Sequence, residues 1–201
     1  MTDSDSESDA ALVLMANHGT PEVFGALFSR HKDRVFRHAL ARLGSWEDAE
    51  DVTAVVFLEA WRRRNGLFFV DGSALPWLLT TTNFVVKNHQ RWTRRHQAFL
   101  AALPNPEDVE DHAPAVLNRT DQEVWVREAF GRLRLSDQDV LTLALVEEMS
   151  MAQIADALTL PEGTVKSRLS RAKKRFEALL LAVAAGKSCL PDEPTAEASL
   201  T

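Results

Sequence analysis

The chain has 201 residues, a formal net charge of -6 and one cysteine, Cys189. The length suits one ordinary domain or two small ones, and 45% hydrophobic residues suffice for a packed core, which excludes wholesale disorder. One cysteine excludes an intrachain disulfide, and no run approaches the roughly 18 apolar residues of a membrane span. The opening MTDSDSESDA lacks the basic and apolar parts of a signal peptide, so the expectation is a cytoplasmic protein with no membrane partner.

Residues 1–19 are acidic and read as a disordered tail. A first helical domain is expected over 20–103. Phe24, Leu27, Phe28, Val35, Ala39 and Leu43 recur at helical spacing, and Gly44 stops that helix. Ser45 with Asp48 then forms a capping-box signal for the helix in "SWEDAEDVTAVVFLEAWRRR". Asp48, Glu50 and Asp51 open it, and either complement the helix dipole or pair with a basic partner. Val55, Val56, Phe57 and Leu58 run consecutively, more than one buried face can hold, so some must face outward or meet a partner. His31 and His38 read as surface or partner residues. "NGLFFVDGS" is a loop; its Phe68 and Phe69 either plug the core or stack on an unpaired base.

A third helix runs from about Ala74 to Arg95. Ala74, Leu78, Thr81, Val85, His89 and Trp92 share one face, with Trp77 read as core. Asn83, Lys87, Arg91 and Arg94, with Arg95 beside them, make a second, cationic stripe suited to a nucleic-acid backbone.

"PNPEDVEDHAP" makes 104–119 a flexible acidic linker. A second helical domain is expected over 120–184, with a tail at 185–201. Thr120 with Glu123, Ser136 with Asp139, and Ser150 with Gln153 predict helices at about 121–134, 137–147 and 151–158, and Pro161 opens a fourth. No segment alternates as a strand does, so the fold class is all-α.

The fourth helix is the most informative stretch. "EGTVKSRLSRAKKRF", residues 162–176, holds six Lys/Arg in an acidic chain. At helical spacing Val165, Leu169, Ala172, Phe176 and Leu179 form one apolar stripe. Ser167, Ser170, Arg171 and Lys174 lie opposite, with Lys166 and Arg168 on the flanks, and Glu162 and Thr164 in the first turn. The preceding "SMAQIADAL" supplies Ile154, Ala155 and Leu158 to pack on the stripe. A short helix, a tight turn and a longer cationic helix make a helix-turn-helix layout. Arg and Lys reach phosphates or guanine edges, and Ser and Thr allow close approach to a major groove. The charge distribution agrees. The acids concentrate in 1–20, 104–123 and 187–201, which leaves 21–103 and 124–186 net positive by about five charges.

"MSMAQIADALTLPEGTVKSRLSRAKKRFEALL" resembles the C-terminal DNA-binding region of bacterial sigma factors of the extracytoplasmic-function group. "FGALFSRHKDRVFRHALARLGSWEDAEDVTAVVFLEAWRR" and "LPWLLTTTNFVVKNHQRWTRR" resemble that group's polymerase-binding and promoter-melting helices. The chain departs from the family at Ala54 and Val55, where Gln and Glu are common, at Thr82 for Arg, and at Lys87 for Asp.

The resemblance implies a sigma region 2 at 20–103 and a sigma region 4 at 120–184. It implies an initiation subunit whose partners are core RNA polymerase, promoter DNA and, as the family commonly has, an anti-sigma factor. By resemblance Asp48, Glu50, Asp51, Val55, Phe57 and Leu58 bind polymerase. Asn83, Lys87, Arg91, Arg94 and Arg95 melt and read the -10 element. Glu162, Thr164, Lys166, Ser167, Arg168, Ser170, Arg171 and Lys174 read the -35 element.

Two other classes fit parts of the chain: a stand-alone helix-turn-helix regulator, and a non-transcribing decoy that binds an anti-sigma factor. An enzyme reading finds little support. "GKS" at 186–188 lacks the first Gly and the strand of a phosphate loop, and one Cys with scattered His gives no metal constellation. No cofactor, metal or small-molecule substrate is expected.

Overall fold

The computed structural model describes residues 7–101 and 120–186, so the expected acidic linker and Cys189 lie outside the described residues. Where the sequence reading expects a disordered tail, the chain forms helix α1 (Asp9–Asn17). Ser8 caps it, accepting from the Ala11 N–H at 3.2 Å. Leu12, Val13 and Ala16 are buried against the first domain. A nine-residue helix has little stability of its own, so burial and the contacts of Asp9 hold it in place.

Helix α2 (Phe24–Leu43) ends at Gly44, whose φ of 80° is the left-handed stop that glycine adopts without strain. Helix α3 (Trp46–Arg62) begins at Ser45, which accepts from the Asp48 N–H at 3.2 Å. The loop after it closes in a tight turn at Val70–Ser73, with Asp71 and Gly72 at φ 49° and 78°, the paired positive values of a hairpin turn. Helix α4 (Leu75–Ala101) follows. Leu27, Val35, Val52, Val56, Leu78 and Val86 form the centre of this domain's core, and Trp77 is buried with them.

In the second domain, α5 (Asp121–Arg132) starts with the full Thr120–Glu123 capping box. Helix α6 (Leu135–Leu141) runs on into a π-helical turn, Thr142–Val146. Its start differs from the expected Ser136 cap. Arg134 is the capping residue and has no side-chain bond, while Ser136 lies inside the first turn. Asp139 is turned away from capping by tertiary partners. Helix α7 (Met151–Leu158) carries the Ser150–Gln153 box, and α8 (Glu162–Ala184) begins just after Pro161. Among the described residues no helix is long and apolar enough to cross a membrane.

Candidate nucleic-acid interface

Helices α7 and α8 are joined by a turn in which Thr159 takes a left-handed φ of 53° and the Leu160 N–H donates to the Ala155 carbonyl at 2.9 Å. The apolar stripe of α8 packs inward. Val165, Leu169 and Ala172 are buried, and Phe176 and Leu179 are partly so, with Phe176 meeting Phe130 edge-on at 6.2 Å. Ile154 on α7 seats Val165.

The opposite face is open. Glu162, Lys166, Ser167, Ser170, Arg171 and Lys174 are exposed, and Thr164 and Arg168 half-buried. Ser167 donates to the Thr164 carbonyl at 3.0 Å, and Arg171 Nε to the Ser167 carbonyl at 3.2 Å, so small and long side chains lie flat along the first turns. Chemically this is a convex, cationic helix face with its charged heads available to an acidic groove. Arg175, in the same basic run, is committed elsewhere: it binds the buried Asp137 at 2.6 Å and fastens α8 to α6.

The stripe expected on α4 divides in two. Arg91, Arg94 and Arg95 are exposed on the distal half of the helix. Lys87 is half-buried and donates to the Leu133 carbonyl at 3.2 Å. Asn83, expected at an open face, is fully buried against the second domain. Its Oδ1 accepts from Arg42 and lies 2.9 Å from His38 Nε2. Its Nδ2 donates to Asp139 Oδ1 at 2.8 Å and to Thr142 Oγ1 at 3.3 Å. Arg42 also donates to Gln138 Oε1 at 2.8 Å and lies over the Phe130 ring at 4.8 Å.

Burial pushes the Asp139 carboxyl up to about 6, against the lowering influence of Asn83, Arg42 and Arg168. Burial likewise pulls His38 down to about 4 and Arg42 to about 10. His38, read from sequence as a surface or partner residue, is half-buried beside Asn83. His31 is buried, 2.6 Å from Asp9. Neither could be found from helical spacing, because the second partner lies 45 residues away for His38 and 22 for His31.

On α3, Glu50, Asp51, Val55 and Leu58 are exposed. Glu50 accepts from Trp46 Nε1 at 2.9 Å, and Asp48 is half-buried, 3.2 Å from His89. Phe57 corrects the expectation: it is buried in the core, edge-on to Phe28 at 4.8 Å, and cannot reach a partner. Of the apolar run, the helical period sends Val56 and Phe57 inward and Val55 and Leu58 outward. The sequence reading missed Phe84, which is exposed beside Trp92. Both help line a groove of about 700 Å³ between α3 and α4, together with Val55, Trp77 and Val85. Phe68 and Phe69 both pack on the first core, and Phe68 with Val70 also packs on the second domain's core cluster that includes Leu143 and Ile154.

The geometry is thus two helical units, one with an exposed cationic recognition helix and one with an acidic and apolar outer helix. Residues 27–96 match the family model for sigma-70 region 2, and residues 123–176 that for sigma-70 region 4. The chain is 31% identical over 175 residues to the ECF RNA polymerase sigma factor SigM of Mycobacterium tuberculosis, covering 86% of this chain and 85% of SigM. It is 28% identical over 179 residues to the ECF RNA polymerase sigma factor BldN of Streptomyces coelicolor, covering 89% of this chain and 68% of BldN. A solved structure of CnrH in complex with the cytosolic domain of CnrY superposes with a TM-score of 0.56 at 23% identity, covering 87% of this chain and 97% of CnrH. With both family regions present in order and a relative of this identity matched over most of its length, the chain belongs to the extracytoplasmic-function sigma factors of bacterial RNA polymerase, in the sigma-70 family.

Proposed function

We propose that this sigma factor brings core RNA polymerase to promoters by holding the -35 element with α8 and by reading and opening the -10 element with α4. The observation that carries the reading is the two-sided build of α8. Its apolar stripe is consumed by the core, while Lys166, Arg171 and Lys174 remain free of it. Glu162, Thr164, Ser167, Arg168 and Ser170 complete the major-groove face, where Arg and Lys meet phosphates and base edges. Asn83, with Lys87, Arg91, Arg94 and Arg95, takes the melted -10 strand, the amide donating and accepting at a base edge and the cations holding the backbone.

The exposed Glu50, Asp51, Val55 and Leu58, with Asp48, form the polymerase contact. The reading places the protein in the cytoplasm as a non-enzymatic initiation subunit, with core RNA polymerase, promoter DNA and an anti-sigma factor as its partners.

The test is run-off transcription from a promoter set by core polymerase with and without the protein. Promoter-specific transcripts are expected only with it; their absence from every template overturns the reading. Arg171→Ala and Lys174→Ala should each weaken duplex DNA binding and lower the salt slope by about one charge. An unchanged slope in both would place that face in solvent.

A further inference from the structure

Asp9 is a buried carboxylate in the first turn of α1 that neither the DNA-reading faces nor the polymerase contact uses. Two other helices converge on it. Arg30 and His31 of α2 each lie 2.6 Å away, and the Ala74 N–H, at the start of α4, donates to its Oδ2 at 2.7 Å. Ala74 is wholly buried, and its carbonyl accepts from the Leu78 N–H at 3.0 Å, where the bonding of α4 begins. An N–H at that place has no partner within its own helix, and a buried one must find a partner elsewhere. Asp9 supplies it from 65 residues away. The turn before α4 is seated on the same helix end. The Ala10 N–H donates to the Gly72 carbonyl at 3.3 Å, and a Cβ on Gly72 would stand 3.1 Å from the Ser8 Cβ. The first turn of α1 is a remote cap for α4.

We propose that Asp9 is a positioning residue for promoter reading: from α1 it fixes the start of α4 and so aims the cationic distal half of that helix at DNA. The inference rests on the reading of α4 given under the proposed function. Two physical points support it.

The first is leverage. Arg91, Arg94 and Arg95 are exposed on the distal half of α4. At about 1.5 Å per residue, Arg91 stands about 25 Å along the axis from Ala74. A tilt of about 5° at the start moves it by about 2 Å, more than a hydrogen bond tolerates. The second is the scarcity of directional contacts. Leu78, Leu79 and Val86 bury α4 in the core, but apolar burial is non-directional. Within the first domain Asn83 bonds Arg42 and His38 at mid-helix, and Asp9 holds the first residue. Two such points, about 14 Å apart along the axis, set tilt and roll together. The partly exposed pair of His89 and Asp48 at 3.2 Å adds less.

The experiment uses the full chain carrying Cys189→Ser, Asp33→Cys and Gln97→Cys, with nitroxides on the two new thiols. Positions 33 on α2 and 97 on distal α4 are exposed. Double electron–electron resonance then reads where α4 points. Asp9→Ala should shift the distance by about 3 Å or broaden it, the effect of a tilt of about 5° on a lever of about 35 Å. Arg30→Ala removes the ion pair and leaves the Ala74 bond, so its distance should match the parent's even as its stability falls. Asp9→Asn keeps one acceptor for the Ala74 amide and should restore the parent distance.

The same variants, without labels, are then combined with core polymerase, and permanganate reactivity on duplex promoters reports opening. Asp9→Ala should open promoters about tenfold to a hundredfold less, the scale on which a small misplacement acts on a positioned group, with polymerase affinity unchanged. Arg30→Ala should open them as the parent does. A merely structural role would instead lower opening in step with stability in both. Circular dichroism checks folding. Gly72→Ala, which drives a methyl against Ser8 and leaves the carboxylate in place, stands in should Asp9→Ala unfold.

An unchanged distance in the folded variant overturns the inference. So does an Arg30→Ala protein that matches Asp9→Ala in both readouts, or a shifted helix that opens promoters normally. The nitroxide distance needs no promoter. If the parent itself opens none, the proposed function falls, and the distance alone decides whether Asp9 aims α4.

Discussion

Asp9 ties three parts of the first domain to α1. Its carboxylate accepts from Arg30 at 2.6 Å and from the Ala74 N–H at 2.7 Å, and lies 2.6 Å from His31 Nε2. Burial pushes the carboxyl up, but His31, the Ala74 amide and Arg30 outweigh it and hold its pKa at about 2. A depressed carboxylate contributes stability above its ordinary 3.8, and that stability is lost as pH falls through about 2. A shift of this size corresponds to about 2 kcal/mol. Asp9→Asn should therefore lower unfolding stability at pH 7 by about 2 kcal/mol and flatten the acid limb between pH 4 and 2. Urea titrations across that range measure it; an unchanged acid limb would mean that Asp9 is not a stabilising anion. Nothing in the acidic run around Asp9 distinguishes it from Asp3 or Asp5. Only the fold places His31 and Ala74 beside it.

At the scale of the element, α8 serves two masters on one helix. Leu169 is buried between α8 and α6, whereas Arg171, two residues on, is exposed. Truncating a buried Leu costs about 2–5 kcal/mol, a large share of a small protein's stability. Leu169→Ala should lower the urea midpoint strongly and take DNA binding with it. Arg171→Ala should leave the midpoint nearly unchanged and lower only DNA affinity. The pair separates fold from contact: a Leu169→Ala protein with an unaltered midpoint would show the stripe to be misread. This division was legible from the sequence because a 3.6-residue period sorts neighbours onto faces. For α4 the same reasoning found the stripe of Asn83, Lys87 and Arg91 but not what it meets. Periodicity tells which residues share a face, and a face covered by another domain reads the same as one open to solvent.

At the scale of the whole molecule, the packing of α6 on α4 couples groups that titrate in opposite senses. Asp139, raised by burial, favours the folded arrangement at low pH and withdraws that support as pH rises through about 6. His38, lowered by burial, favours it above its ordinary 6.5 and withdraws support as pH falls through about 4. Between those values the slopes oppose, with Arg34 and Arg42 facing the histidine and Arg42 and Arg168 facing the carboxylate. Melting temperature should therefore vary little through this window. His38→Gln removes one slope, so that variant's melting temperature should rise, relative to its value at pH 6.5, as pH falls toward 4. A flat profile in the variant would show that Asp139 carries no such linkage.

Asn83→Ala removes the proposed base contact and also the bonds of the amide to Asp139 and Thr142. It should impair open-complex formation on duplex promoters, with much of the loss restored on a template already mismatched across the melting region, where the unpairing cost of a few kcal/mol is absent. Equal loss on both templates would assign Asn83 to fold or polymerase contact.

The sequence by itself determined the all-α class, the two-part organisation, the family, the caps at Thr120 and Ser150, the stop at Gly44 and the inward stripe of α8. These rest on local rules: helical period, side-chain caps and glycine's access to positive φ act within a few residues. Tertiary structure decided the rest. It made a helix of 9–17, because burial of Leu12 and Val13 and the bonds of Asp9 stabilise what propensity alone would not. It drew Phe57 into the core and left Val55 and Leu58 outside. It also brought Asn83 to Arg42 and His38, 41 and 45 residues away on α2, and to Asp139, 56 residues away on α6, pairings between separate helices that no local pattern encodes.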